Sequence, residues 1–470
     1  MAGIKALALA LCFKFSVGRI SSLHKDLRWL EDFSDSVTYC DEPVVKEQVI
    51  FPDSLAGRTN QNYDMFSGYI NITEQDWLFY WFFEADSTSV NYDNPDDIPL
   101  IIWTNGGPGC SAMEGATTEN GPLVLYRIKE SYELATGQLS DNPYAWNKQG
   151  HVLYVDQPRY VGNSFGYGDK CKSSVSAAND IVTFIQGWYD VFPEYSKNNV
   201  VIAGESYGGH YIPAWANAIM DHNEAIAVSE TALSQGEYEI PMVGIGIGNG
   251  CVNDTVQDDA KYIEFLHDNN LIPSDATPSS ESAANAQMQA YIGYDPNFYD
   301  FRVRDVSCSG CYSYNYTEWS YWFLKQEVID ALHICGDAGY SAFSGSAGGC
   351  IPMIGFDFND QFDYSESLGR ALNANISVMF YYGKNDLACN YVGAYEMATT
   401  LPWSGKDSFA ATPLVPFGDG GGRTFGQAQQ FRGEDTGALI WTQVDSAGHM
   451  VPLDEPPAAA AGLAKLLAAI

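Results

Sequence analysis

The sequence predicts an α/β fold: a mainly parallel sheet covered by helices and interrupted by a long insertion. Three observations carry this. Six short apolar runs rich in β-branched and aromatic residues recur along the chain, as strands buried on both faces require. The stretch AANDIVTFIQGWYDVF, between the second and third runs, reads as a helix, and strands alternating with helices imply parallel pairing through crossovers. From about residue 251 to 365 the composition changes, with five cysteines, a Ser/Ala/Pro-rich loop and dense aromatics.

Taken in order, the runs are IPLIIW (98–103), HVLYVD (151–156), NVVIAG (199–204), MVGIGIG (242–248), VMFYYG (378–383) and ALIWTQV (438–444). Core sequence therefore occupies 41–250 and 366–470, with 251–365 as an inserted cap domain. The Gly-rich GDGGGRT after Phe417 lacks the Lys-Ser/Thr ending of a phosphate loop and is expected to be a turn.

Residues 1–18 have the features of a signal peptide: Lys5, the apolar ALALALCF, and the small residues Ser16-Val17-Gly18. Residues 19–40 then form a propeptide or N-terminal extension. No other stretch approaches the roughly 20 apolar residues that span a bilayer, so no membrane partner is expected. With 59 acidic against 24 basic residues and a formal charge of −35, nucleic acid and anionic membranes are excluded as partners. The same acidity suits work at low pH, where part of the charge is titrated.

A secretory route, ending in a vacuole, a lysosome or outside the cell, makes disulfides and glycans expected. The sequons lie at Asn71, Asn253, Asn315 and Asn375. Of ten cysteines, Cys12 leaves with the signal and nine remain, an odd number, so at least one stays unpaired or bonds another chain. Cys308-Ser309-Gly310-Cys311 has no second CxxC or spaced histidine pair beside it and is read as disulfide-forming. No metal and no cofactor is expected; HExxH does not occur.

Two segments match GxSxG, the strand–turn–helix signature that exposes a serine at a sheet's edge. They are Gly162-Asn163-Ser164-Phe165-Gly166 and Gly204-Glu205-Ser206-Tyr207-Gly208. The second directly follows an apolar run and precedes Ile212, Trp215, Ala216 and Ile219 at helical spacing. Ser206 is therefore the candidate nucleophile, and Ser164 is assigned to a structural loop. In α/β hydrolases the acid and the histidine follow the serine in that order, each after a strand. Asp386 follows VMFYYG and His449 follows ALIWTQV.

Taken together, WTNGGPGCSA (103–112), ENGP (119–122), VDQP (155–158), FPEY and AGESYGGHYIP (192–213), GNG (248–250), YYGKNDLACNYVG (381–393) and AGHMVPLDEP (447–456) resemble the serine carboxypeptidase family. The resemblance covers most of the chain outside the insertion. Departures occur at Asn163, Lys384 and Ala112, none of them in the expected chemistry. It implies an α/β-hydrolase fold and a peptidase that removes C-terminal residues of peptides and proteins at acidic pH through an acyl-enzyme.

By the same resemblance, Ser206, Asp386 and His449 are catalytic, and the amides of Gly107 and Tyr207 form the oxyanion hole. Asn105, Gly106, Glu119 and Glu205 bind the substrate's carboxylate. Glu205 stands beside the nucleophile, where a full negative charge would oppose its ionisation; pairing with Glu119 keeps one proton shared. The resemblance further implies a Cys110–Cys350 disulfide, and a substrate pocket lined by Cys389 and Met450. With Cys12 gone and the other eight cysteines paired among themselves, Cys389 is left over as a free thiol. Alternatives are an acyltransferase of the same fold, a protective or binding protein with little catalysis, and a general esterase. Retention of Asn105, Glu119 and Glu205 favours the peptidase over the acyltransferase, an intact triad argues against a silent protein, and a general esterase would not need the carboxylate site.

Overall fold

A computed structural model describes residues 40, 42–56, 61–90, 92–128, 133–229, 236–258, 260–304, 317–344, 349–357 and 363–470. The expected signal peptide, nearly all of the extension at 19–40, Cys308, Cys311 and Asn315 lie outside these residues.

Sixteen strands occur among the described residues: β1 Glu47–Gln48, β2 Met65–Thr73, β3 Asp76–Phe83, β4 Leu100–Thr104, β5 Leu123–Ile128, β6 Glu133–Asp141, β7 His151–Val155, β8 Phe165–Gly166, β9 Val200–Glu205, β10 Met242–Gly248, β11 Pro296–Asn297, β12 Asp300–Arg304, β13 Ser377–Gly383, β14 Val415–Gly418, β15 Thr424–Arg432 and β16 Ala438–Val444. Twelve form one sheet in the order β1-β2-β3-β7-β4-β9-β10-β13-β16-β15-β14, with β8 beside β3. The six expected runs are the stretch β7-β4-β9-β10-β13-β16, and every pairing within it is parallel. β5–β6 and β11–β12 are separate antiparallel hairpins.

The period-2 alternation of a strand sorts these apolar runs onto the two faces. Leu100, Ile102, Val200, Ile202, Ile245 and Val378 belong to one buried cluster. Ile101, Trp103, Val201, Ala203 and Met379 belong to the other. Helices α1 Ser174–Val191 and α2 Gly208–Ala227 cover the first face. Ser173 starts α1 through a capping box with Ser176, which satisfies two otherwise orphaned amides. In α2 the residues Ile212, Trp215, Ala216 and Ile219 are all buried; each large one contributes about 1.5–3 kcal/mol.

The antiparallel flank was not apparent from the sequence. β2 and β3 form a hairpin across Glu74-Gln75, with Tyr69 opposite Phe79. That loop carries none of the Asn-Gly or Asp-Gly signals of a tight hairpin, and the aromatic run DWLFYWFF shows no alternation to mark it. GDGGGRT is indeed a turn, joining β14 to β15.

No described residue of 251–365 joins the large sheet. Its first part, including α3 Ala260–Asp268 and α4 Glu281–Ile292, packs around Leu387. Its second part, with Trp319, Trp322, Phe323 and Phe343, covers the other sheet face. Disulfides Cys40–Cys335 and Cys110–Cys350 tie this segment down, so the expected Cys110–Cys350 pairing is present. Beyond it lie α5 Ser365–Asn373, α6 Tyr391–Thr400 and α7 Pro456–Leu467.

Candidate active site

The site is built at the carboxyl ends of β4, β9, β10, β13 and β16, where an open parallel sheet presents its loops. Ser206 lies between the last residue of β9 and the start of α2, with φ of +59°. A non-glycine residue in that region is strained, and it persists because its surroundings fix it. The amide of Ser206 donates to Gly248 O (3.0 Å), while its carbonyl accepts from Gly209 N (2.9 Å) and Cys251 N (3.1 Å). Gly106, just beyond β4, lies so close that a Cβ there would stand 2.9 Å from Ser206 Cβ and 2.6 Å from Glu205 O. Only glycine fits.

Asp386 and His449 are buried and joined, Nδ1 of the imidazole lying 2.7 Å from Oδ2. The same Oδ2 accepts from Asn249 Nδ2 (2.8 Å) and Cys389 N (3.2 Å), and Oδ1 accepts from Ala388 N (2.8 Å). Three donors besides the histidine thus hold the acid as an acceptor. Asn249 is fixed in turn, because its Oδ1 accepts from Gly383 N (2.9 Å). Its motif GNG was visible in the sequence, but nothing in that motif indicated the partner. Tyr299 was likewise missed: its ring stacks on the imidazole at 4.1 Å and 14°. His449 Nε2 is buried and has no hydrogen-bond partner.

Glu119 ends a π-helical turn, Gly115–Glu119, in which Asn120 N donates to Gly115 O (3.1 Å); such wide turns are frequent at functional sites. This turn brings Glu119 to Glu205. Asn105 Nδ2 donates to Oε1 of both, 3.0 Å each, and its own Oδ1 accepts from Trp103 Nε1 (2.8 Å) and Gly115 N (3.0 Å). The amide orientation is thereby unambiguous. The two carboxyls are within hydrogen-bonding range of each other, and each Oε2 is buried and accepts from no donor.

Burial raises both carboxyls above their ordinary range. For Glu205, pushed well above it, the charges of Glu119 and then Glu114 add to the effect. For Glu119 the hydrogen bonds from Glu205 and Asn105 and the charge of His449 oppose it. Two buried carboxyls in contact cannot both ionise cheaply, which favours a proton shared between them.

The glycine loop is anchored on both sides. Cys110 is bonded to Cys350, while buried Asp156 accepts from Ser111 Oγ (2.6 Å) and Ala112 N (2.8 Å). Tyr207, whose amide lies 2.5 Å from where a Cβ on Gly106 would be, stacks its ring on His210 at 4.4 Å. Burial lowers His210 to about 4, so it is neutral. Met450 follows His449 and is buried.

Two expectations are corrected. Cys389 is not a free thiol: it is bonded to Cys251, and the free cysteine among the described residues is buried Cys171. Counting cysteines cannot choose among 105 pairings of eight, and the loop after β10 brings Cys251 to the Asp386 loop. Asn253 does not suit a glycan: it is buried, its Oδ1 accepts from Val256 N, and its Nδ2 donates to Ser365 Oγ (3.2 Å). Asn71 and Asn375 are exposed. Among the described residues no group of His, Cys, Asp and Glu could hold a metal ion, and no helix is long and apolar enough to cross a membrane.

Comparison with known proteins points the same way. The chain is similar to carboxypeptidase Y homolog A of Leptosphaeria maculans, 31% identical over 427 residues, covering 86% of this chain and 73% of the relative. The corresponding protein of Pyrenophora tritici-repentis is 31% identical over 421 residues, covering 84% and 71%. In fold it is similar to Kex1(delta)p, a prohormone-processing carboxypeptidase from Saccharomyces cerevisiae, with a TM-score of 0.69 and 23% identity over 90% of this chain and 95% of that one. The serine carboxypeptidase family model matches residues 56–300 and 282–469, a span that contains every residue of the constellation just described. The chain therefore belongs to the serine carboxypeptidase family.

Proposed function

We propose that this serine carboxypeptidase removes the last residue of a peptide or protein through an acyl-enzyme on Ser206, under acidic conditions. The observation that carries this is the Asn105–Glu119–Glu205 cluster beside the Ser206 turn. An esterase or an internal peptidase has no use for a buried, proton-sharing carboxyl pair there. A protonated carboxyl donates a hydrogen bond to the substrate's terminal carboxylate, which an ionised one would repel. Asn105 orders the pair, and the amide of Gly106 adds a second donor.

Ser206 Oγ attacks the last peptide carbonyl as its proton passes to His449 Nε2, the ring nitrogen left without a partner. Asp386 stabilises the imidazolium and fixes its orientation. The amides of Gly107 and Tyr207 donate to the developing oxyanion; one such donor is worth roughly 2.7–4 kcal/mol of barrier. The proton then moves to the leaving amine, the free amino acid departs, and water attacks the acyl-enzyme by the same route. Cys389 plays no part as a thiol, and Met450 is a pocket wall next to the imidazole.

Disulfides call for an oxidising compartment, and an acid requirement favours a vacuole, a lysosome or the extracellular space. The test is direct: a fluorophosphonate should label one serine, mapped to Ser206, and labelling should abolish release of the last residue from a blocked dipeptide at about pH 5. Labelling at another serine, or release that survives complete labelling, would refute the assignment.

A further inference from the structure

Two of the three disulfides among the described residues tie down the second part of the segment inserted in the sheet. The third, Cys251–Cys389, instead joins two loops of the catalytic edge across 138 residues of sequence. Cys251 lies beyond β10, and its amide donates to the carbonyl of Ser206 (3.1 Å). Cys389 lies beyond β13, and its amide donates to the Asp386 carboxylate (3.2 Å). Each half of the bond is therefore one hydrogen bond away from a member of the triad.

We infer that the Cys251–Cys389 disulfide is a positioning element for the reaction, setting the separation of the Ser206 turn from the Asp386–His449 pair. The inference rests on the roles given above to Ser206, Asp386 and His449. Contact is close on the Cys251 side: a Cβ on Gly209, at the start of α2, would stand 2.7 Å from Cys251 N. A shift of the Cys251 loop would thus move the first turn of α2 and the serine with it. On the other side, Leu387 packs against the inserted segment, so the acid's loop is held by that packing as well as by the disulfide.

Opening the bond should not unfold the edge, because other links span the same two loops. Asn249 Nδ2 donates to Asp386, Asn390 Nδ2 to Gln257 O (3.0 Å), and Tyr382 OH to Gly250 O (2.6 Å). Gln257 further accepts from Val252 N (2.7 Å) and Asn253 N (2.9 Å). What the covalent tie adds is precision at the reacting atoms, where a misplacement of about 1 Å can cost on the order of 100-fold in rate. Substrate binding depends on Asn105 and Glu119, which lie on other loops, and on Glu205, which is held within β9 by its pairing in the sheet, so kcat and KM should separate.

The test is the double variant Cys251→Ser/Cys389→Ser, assayed on a blocked dipeptide. Expected is a fall in kcat of roughly 10- to 100-fold with KM within about twofold. An unchanged kcat, or kcat and KM lost together, would overturn the inference. Should the variant fail to fold, the wild-type enzyme decides. A small dithiol reduces the bond, itself becoming a cyclic disulfide while each sulfur gains one electron and one proton, and half-exposed Cys251 is the point of entry. Alkylation and mass mapping then give the fraction reduced at each cysteine. Activity should fall as thiols appear at Cys251 and Cys389, recover on reoxidation, and show the same separation of kcat from KM. Full activity with this bond open, or loss that follows Cys110 or Cys40 instead, would overturn it. Fluorophosphonate mapping of Ser206 in the same wild-type samples decides the underlying catalytic reading separately.

Discussion

Two copies of GxSxG sit in this molecule, and only one has the geometry of a nucleophile's turn. Ser164, in GNSFG, is buried, donates its hydroxyl proton to Asp156 O (2.6 Å) and accepts from Phe79 N (2.8 Å). Its hydroxyl is consumed in stitching the loop after β7 to β3. Ser206, in GESYG, is half-buried and sits at φ +59°, and its backbone groups are held from three sides while the hydroxyl is left for chemistry. The difference lies in what precedes and follows the motif. A buried parallel strand running into a helix leaves the serine no room to relax, whereas a loop lets it find partners. A short motif becomes a nucleophile only when the fold denies its hydroxyl a structural use.

The largest expected effect separates the two serines. Ser206→Ala should lower kcat on the order of 10⁴-fold or more and leave the melting temperature nearly unchanged. Ser164→Ala should do the reverse, keeping kcat within about threefold while costing about 1–3 kcal/mol of stability, because the Phe79 amide loses a buried acceptor. Matched activity and thermal-unfolding measurements on both variants check this, and exchange of the two outcomes would invert the comparison.

Next in size is Asn249→Ala. It removes a buried hydrogen bond to a charged acceptor, worth about 1.5–3 kcal/mol, so kcat should fall roughly 10- to 100-fold with KM little changed. Smaller again is Glu119→Gln. The carboxyl pair's raised pKa means that its shared proton is held below that value and lost as pH rises through it. Wild-type activity should therefore fall on the alkaline side. An amide keeps a donor without titrating, so the variant's alkaline decline should flatten in a pH–kcat/KM profile. The smallest effect is an absence: a mercurial at Cys389 should leave activity unchanged, since that sulfur is bonded to Cys251, and burial with Asp180 nearby pushes the Cys171 thiol up to about 12.

The same contrast shows what could be read before the structure. The six central strands were legible because strands buried on both faces are apolar throughout, and Ser206, Asp386 and His449 stood out as candidates because each follows one of those strands within a few residues. β2 and β3 were not, since an eight-residue aromatic run joined by Glu74-Gln75 shows neither alternation nor a turn residue. Asn249 and Tyr299 escaped because their roles depend on which loops meet across β10, β13 and the insertion. Cys389 was misread for the same reason: its partner lies on a neighbouring loop that no spacing identifies. Local chemistry is written locally, and contacts between loops are not.

The proposed role of the proton shared by Glu119 and Glu205 is to make the enzyme recognise a free chain end. It is tested most directly by measuring kcat/KM for one blocked dipeptide as its free acid and as its C-terminal amide across the pH range. The acid should be strongly preferred at mildly acidic pH, and this preference should shrink as the pair loses its proton. Equal hydrolysis of acid and amide at every pH, or a preference that stays constant up to about pH 9, would contradict it.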